Sequence, residues 1–189
     1  LANHGFNLKH TIQLIATSKA YQLPAIERIP DQNAADFAFK GPLTRRLRAE
    51  QFLDAVSQLS KAADPPAQNR AFQRQGLRNL DRLQRVLGRP KRDQVATTRD
   101  DRPTTLQALE LTNGDILHKM VQEAGNRWAN NRKDEAILLD DLFQNAFLRS
   151  PSDNERQVAK ELLNEKLTAN TVADLLWTVI LQPEFQLIR

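Results

Sequence analysis

The chain has 189 residues and contains no cysteine. It therefore cannot form a disulfide, perform thiol chemistry, build a zinc–thiolate site or attach a c-type haem covalently within these residues. Glycine is scarce, with 6 residues, and aromatic residues make up only 6% of the chain. Both shortages disfavour a β-sandwich or a β-barrel, because these folds need aromatic strand residues and glycine-rich turns.

Long hydrophobic runs and familiar catalytic motifs are also missing. No run of about 18 apolar residues occurs, so the sequence predicts no membrane span. The glycine-flanked serine of hydrolases, a phosphate-cradling glycine loop and the His-Glu-x-x-His zinc motif are absent. The chain shows no signal peptide and begins at Leu1, and we expect it to be a fragment of a larger protein from which the preceding part was removed.

Good helix formers make up much of the remaining sequence, and apolar residues recur three and four positions apart. Helix caps are predicted at Asn7, Thr44, Thr104 or Thr105, Asp134, Ser152 (a capping box with Glu155) and Asn170 or Thr171. The sequence therefore predicts an all-α fold, a compact bundle of about six to eight helices with at most a short pair of strands. The last helix, over residues 172–181, is apolar nearly all round and is predicted to be buried.

Two irregular connections interrupt this helical pattern. A proline-rich connection is predicted near residues 22–42, and a polar loop is predicted over residues 89–103. Two helices are expected between these connections, one that begins after Thr44 and ends before residues 64–66, and one over residues 69–87 that Gly88 ends. Asn113-Gly114 either breaks the helix that begins near residue 104 or is tolerated inside it. We interpret residues 1–189 as a single helical domain.

Residues that could support catalysis are few and scattered. The histidines are His4, His10 and His118, and no two of them have the i, i+4 spacing of a helical metal pair. The adjacent carboxylates are Asp100 with Asp101 and Asp140 with Asp141, and neighbours on a helix face different ways. Trp128, Trp177 and the eight phenylalanines have helical spacings that are typical of a core. We therefore assign no catalytic, cofactor-binding or metal-binding residue within this segment.

Positive charge is concentrated in the middle of the chain. Residues 40–102 hold 15 Lys and Arg against 7 Asp and Glu, whereas the other residues hold 12 against 16. Six arginines recur there every three or four positions, and we call them the arginine stripe: Arg70, Arg74, Arg78, Arg82, Arg85 and Arg89. On one helix they would occupy about a third of the circumference. The stripe is either a solvated face, paired with acidic residues such as those near Asp140, or a contact surface for an anionic polymer.

Several motifs, taken in order, resemble a known family. They lie at residues 5–10 (GFNLKH), 14–21, 46–55, 87–95, 104–109 and 181–185 (LQPEF). Together they are similar to the C-terminal domain of large planctomycete-type exported proteins, domain-of-unknown-function family 1553. The resemblance covers nearly the whole chain. Residues 147–151 (FLRSP) stand where many members have a Gly-Arg-Pro-like turn.

The resemblance implies an exported protein, periplasmic or extracellular, with upstream domains. In many members these include a cytochrome-c-like module, which would carry haem c outside this segment. The family brings no established catalytic residues. We therefore expect a non-catalytic helical domain of unknown function that packs with the upstream domains of an exported, haem-linked multidomain protein.

Two other functions stay open. One is part of an enzyme, such as one acting on polysaccharide, with a site shared with the missing domain. The other is a basic helical module that binds nucleic acid, which a pI of about 9.6 and the arginine stripe favour.

Overall fold

A computed structural model describes residues 1–26, 38–62, 80–91, 93, 99, 102–163 and 167–188. Over these residues the fold is all-α, as the sequence predicts, with one pair of two-residue strands. The described helices are α1 (Leu8–Ala16), α2 (Ala49–Lys61), α3 (Arg82–Val86), α4 (Thr105–Asn113), α5 (Asp115–Asn131), α6 (Glu135–Phe147), α7 (Asp153–Leu163), α8 (Ala169–Leu181) and α9 (Pro183–Gln186). Eight of them have five or more residues, which agrees with the predicted number.

The chain divides into two compact units. The smaller unit combines the first 46 residues with residues 187–188, and the larger unit spans residues 47–186. In the smaller unit, strand β1 (Arg45–Arg46) pairs antiparallel with strand β2 (Leu187–Ile188). The described parts of the two predicted connections contain no helix, and the remainder of both connections lies outside the described residues.

Side-chain caps begin several helices where the sequence predicts them. The side chain of Asn7 accepts a hydrogen bond from the amide of His10 at 3.2 Å, and Thr104 does the same for Gln107 at 3.2 Å. The carboxylate of Asp134 accepts from the amide of Ile137 at 2.9 Å. Each cap satisfies an amide that has no partner within its helix. These three predicted caps are confirmed.

Other predicted helix starts are displaced. Thr44 does not cap a helix, because its amide donates to the carbonyl of Ile26 at 2.9 Å in an extended segment, and α2 begins only at residue 49. The last long helix begins earlier than predicted, because Thr168 caps it by accepting from the amide of Thr171 at 3.2 Å. Gly114 separates α4 from α5, which settles the alternative left open for the Asn113-Gly114 pair.

The core of the larger unit forms where α5 packs along α8, with α2 also packed on α5. Trp128 of α5 is fully buried, and its indole Nε1 donates to the carbonyl oxygen of Leu59 on α2 at 3.0 Å. The prediction that α8 is buried is confirmed, since Leu176 and Val179 are almost completely inaccessible. The prediction that phenylalanines are core residues is wrong for Phe6 and Phe39, which are both exposed.

A glycine sets the distance between α5 and α8. A Cβ atom at Gly125 would lie 2.5 Å from the carbonyl oxygen of Ala169 and 2.8 Å from the Cβ of Ala173. The first of these atoms belongs to the α8 backbone, so a side chain at residue 125 would force the two helices apart. The apolar periodicity of the sequence does not reveal this requirement, because a glycine leaves a gap in the series of apolar residues.

The turn after α6 has an unusual backbone. Leu148 has φ 57° and ψ 28°, the left-handed conformation that ends many helices and that normally falls to glycine. Its side chain is 82% exposed, so little packing offsets the cost of this conformation.

Gly125→Ala is expected to destabilise the protein by about 1–3 kcal/mol, as overpacking does. In an exposed helix, alanine is more favourable than glycine by about 1 kcal/mol. A loss of stability in Gly125→Ala would therefore indicate a steric clash with α8. Urea unfolding of Asn126→Ala, at the exposed position next to it, supplies the control and should show no loss. Equal or greater stability of Gly125→Ala would show that α5 and α8 do not approach this closely.

Leu148→Gly is expected to stabilise the protein by about 1 kcal/mol, because glycine adopts a positive φ without steric cost. Leu148→Ala removes the same side chain but keeps the steric cost, so its thermal midpoint should stay close to that of the wild type. Thermal unfolding of the two variants side by side checks the prediction. A Leu148→Gly midpoint at or below that of Leu148→Ala would contradict it.

Candidate functional site

Half of the predicted arginine stripe falls on described residues. Arg82 and Arg85 lie on α3, and Arg89 follows it. The other three members, Arg70, Arg74 and Arg78, lie outside the described residues. The role of the stripe as an anion contact therefore stays a prediction.

The predicted single helix over residues 69–87 is wrong at Asp81. The backbone of Asp81 is extended, with φ −94° and ψ 175°, and its carboxylate accepts from the amide of Gln84 at 2.7 Å. Asp81 therefore caps α3, and a capping residue cannot lie inside a continuous helix. A short aspartate side chain competes for backbone amides in this way, and that signal was present in the sequence.

Arg82 pairs with a buried carboxylate of the same chain. Its Nε lies 3.3 Å from Oε2 of Glu110 on α4, and the Glu110 side chain is only 6% exposed. A buried carboxylate is unfavourable without a partner, so Arg82 offsets the cost of burying Glu110. A Cβ atom at Gly114 would lie 2.9 Å from Oε1 of Glu110, so the glycine leaves space for this carboxylate at the start of α5. The residues lining the adjoining cavity of about 280 Å³ are Arg82, Leu109, Glu110, Asn113, Gly114, Asp115 and Ile116.

Glu50 on α2 forms ion pairs with two further arginines. Its carboxylate accepts hydrogen bonds from Arg99 at 2.7 and 3.0 Å, and Nε of Arg89 lies 3.8 Å away. Burial raises the pKa of Glu50, whereas the hydrogen bonds and positive charge of Arg99 lower it. The lowering effects are larger together, so the pKa of Glu50 is below its ordinary value. Arg89 also donates to the buried side chain of Gln84. Part of the basic region is thus neutralised by acidic groups of the same chain.

The adjacent carboxylates on α6 belong to separate ion pairs. Asp140 accepts from Arg156 at 2.6 Å, and Asp141 accepts from Arg132 at 2.6 Å. These residues therefore do not pair with the described arginines of the stripe, so that predicted pairing is wrong there. The other candidate pair, Asp100 and Asp101, lies outside the described residues.

Arg149 is the centre of an ion cluster that the sequence does not predict. Its guanidinium donates to Glu155 at 2.8 and 2.9 Å and to Glu184 at 2.8 and 3.1 Å. The guanidinium carbon also lies 5.4 Å from the ring centre of Phe143 and 5.3 Å from that of Phe147. Arg149 therefore links the turn after α6 to the start of α7 and to α9.

Ser152 and Glu155 form the predicted capping box within this cluster. The Ser152 amide donates to the Glu155 carboxylate at 2.7 Å, and the Glu155 amide donates to the Ser152 hydroxyl at 3.4 Å. Hydrogen bonds from Arg149 lower the pKa of Glu155 to about 2, aided by those from Ser152 and opposed by burial.

The histidines lie apart from these ion pairs. The rings of His4 and His10 are 4.1 Å apart between centroids, and His118 lies 5.7 Å from the ring of Trp177. Among the described residues, no group of three or more His, Asp or Glu side chains is placed to hold a metal ion. Of the helices described, none is both long and apolar enough to cross a membrane.

Exposed apolar side chains are concentrated on α1. Leu8, Ile12 and Ile15 are 65%, 64% and 54% exposed, and α1 contains no buried residue. Their spacing of i, i+4 and i+7 places them on one side of the helix, which we call the α1 face. Leu14, on the opposite side of α1, is 57% exposed as well. Phe6 and Tyr21, just outside the helix, are also exposed. The periodicity of these residues was visible in the sequence, but a periodic pattern alone does not tell a buried face from an exposed one.

The lowered pKa of Glu155 predicts sensitivity to acid. Its carboxylate stabilises the folded state above its unfolded pKa, and this contribution is lost as pH falls from about 4.5 towards about 2. The thermal midpoint of the wild type should therefore fall more steeply across this range than that of Glu155→Gln. Glu161→Gln, on the exposed side of the same helix, should keep the wild-type slope. Identical slopes for wild type and Glu155→Gln would contradict the prediction.

Comparison with protein families gives a match for this chain. No curated protein and no solved structure matches this chain. The model of a family described as protein of unknown function (DUF1553) matches residues 1–163. That match covers most of the chain, and it includes α1, the arginine stripe and the ion pair between Asp140 of α6 and Arg156 of α7. This chain belongs to the DUF1553 family of proteins of unknown function.

Proposed function

We propose that this chain is a non-catalytic helical domain that packs against upstream domains of an exported multidomain polypeptide. The α1 face is the observation that carries the proposal. A helix normally turns its apolar side towards a protein interior, and Leu8, Ile12 and Ile15 instead face outward. Clustered exposed apolar side chains are typical of a surface that binds another protein.

The energetics of α1 support a docking role. Isolated helices shorter than about 12–15 residues are marginal in water, and α1 has 9 residues with none buried. Burying one Leu or Ile side chain contributes about 1.5–3 kcal/mol. Covering the α1 face would therefore both stabilise the helix and provide affinity for the domain that covers it.

The ion pairs support a role without catalysis. A general acid or base has to reach a substrate proton, yet Asp140, Asp141 and Glu155 each accept hydrogen bonds from an arginine of the same chain. These arginines join different helices or fix the turn between them. The charged groups at these positions therefore act as structural supports.

We propose that any haem of the full-length polypeptide is bound outside this chain. Covalent attachment of a c-type haem needs two cysteines, and this chain has none. In the proposed polypeptide an upstream module would bind haem c, and this domain would contribute only its packing surface. The exported location follows from the same family resemblance.

Hydrogen exchange tests the docking role. In the natural full-length product, the amides of residues 8–16 should exchange at least about tenfold more slowly than in the 189-residue chain, because a covered helix opens less often. Exchange in α8, which is buried in the chain itself, should be the same in both proteins. Equal exchange of residues 8–16 in the two proteins would contradict the proposal.

A matched pair of variants makes this test specific. Ile12→Asp places a charge on the α1 face and should restore fast exchange of α1 in the full-length product. Leu14→Asp makes the same change at an equally exposed residue on the opposite side of the helix, and protection should remain. Equal loss of protection in both variants would mean that the substitutions act on the helix itself.

A further inference from the structure

The segment that carries the α1 face has charge of one sign. Residues 1–26 contain Lys9 and Lys19 and no Asp or Glu. Both lysine side chains are exposed. A partner that covers the α1 face therefore meets positive charge at its edge.

The position of Lys9 strengthens this argument. Lys9 directly follows Leu8 in the first turn of α1, where the helix dipole disfavours a cation. The first turn of α1, like those of α4 and α8, contains no acidic residue, so no carboxylate of this turn offsets the charge of Lys9. A carboxylate from outside the segment would interact favourably with both the lysine and the helix dipole.

We infer that the α1 face docks into an apolar groove edged by carboxylates on another domain of the same polypeptide. This inference rests on the proposed function and adds the chemistry of the partner. Pairing of α1 with α1 of a second copy is disfavoured, because it would bring Lys9 and Lys19 of both copies together. A membrane surface is also a poor fit, since the four large apolar side chains of α1 are divided between two sides of a nine-residue helix and offer little area for insertion.

The test compares charge variants of the natural full-length product by hydrogen exchange of residues 8–16. Lys9→Glu combined with Lys19→Glu should reduce the protection of these amides about tenfold, because two attractive contacts become repulsive. Lys40→Glu, at another exposed lysine of the smaller unit, should leave protection unchanged. Added salt should weaken protection in the wild type, where it screens an attraction, and should partly restore protection in the double variant, where it screens a repulsion.

The outcomes separate this inference from the proposed function. If Ile12→Asp removes protection while the lysine variants do not, α1 docks but the acidic groove is wrong. If the wild-type full-length product shows no protection at all, the docking role itself is wrong.

The 189-residue chain alone provides two further checks. Protection that grows with its own concentration would identify a second copy as the partner and overturn the inference. Protection that appears on adding phosphatidylglycerol vesicles, but not phosphatidylcholine vesicles, would identify an anionic membrane and overturn it as well.

Discussion

The close approach of α5 and α8 at Gly125 sets the geometry of the larger unit. Only a residue without a side chain allows the α8 backbone to come this near, and the distance then fixes which side chains fill the interface. Trp128, one turn further along α5, is fully buried, and its indole hydrogen bond to Leu59 connects α5 with α2. Three helices are thus held by one steric requirement and one buried hydrogen bond.

The features that could be predicted from sequence are those governed by near neighbours. Asn7, Thr104, Asp134 and Ser152 cap their helices through hydrogen bonds that span three residues, so the information lies in a short window. The burial of α8 was equally accessible, because a helix that is apolar nearly all round has no polar face to leave in solvent.

The features that were missed depend on partners far apart in the chain. Arg149 meets Glu184 35 residues later, and Arg99 meets Glu50 49 residues earlier. Nothing in the spacing of these residues marks them as neighbours, because the intervening helices decide which ends meet. The helix predicted through Asp81 is wrong for a different reason. The Asp81 side chain caps α3, and a local hydrogen bond of this kind overrides the apolar periodicity of the sequence around it.

The described residues show an unusual division between charged and apolar side chains. In the larger unit, ion pairs connect helices. Arg82 pairs with the almost fully buried Glu110, and Arg149 pairs with Glu155 and Glu184. Apolar groups that could have filled a core, such as Leu8 and Ile12, lie at the surface of α1. The paired charges of these clusters join parts of the fold, and exposed apolar groups favour association with another surface. This distribution is why we place the proposed function in binding rather than in chemistry.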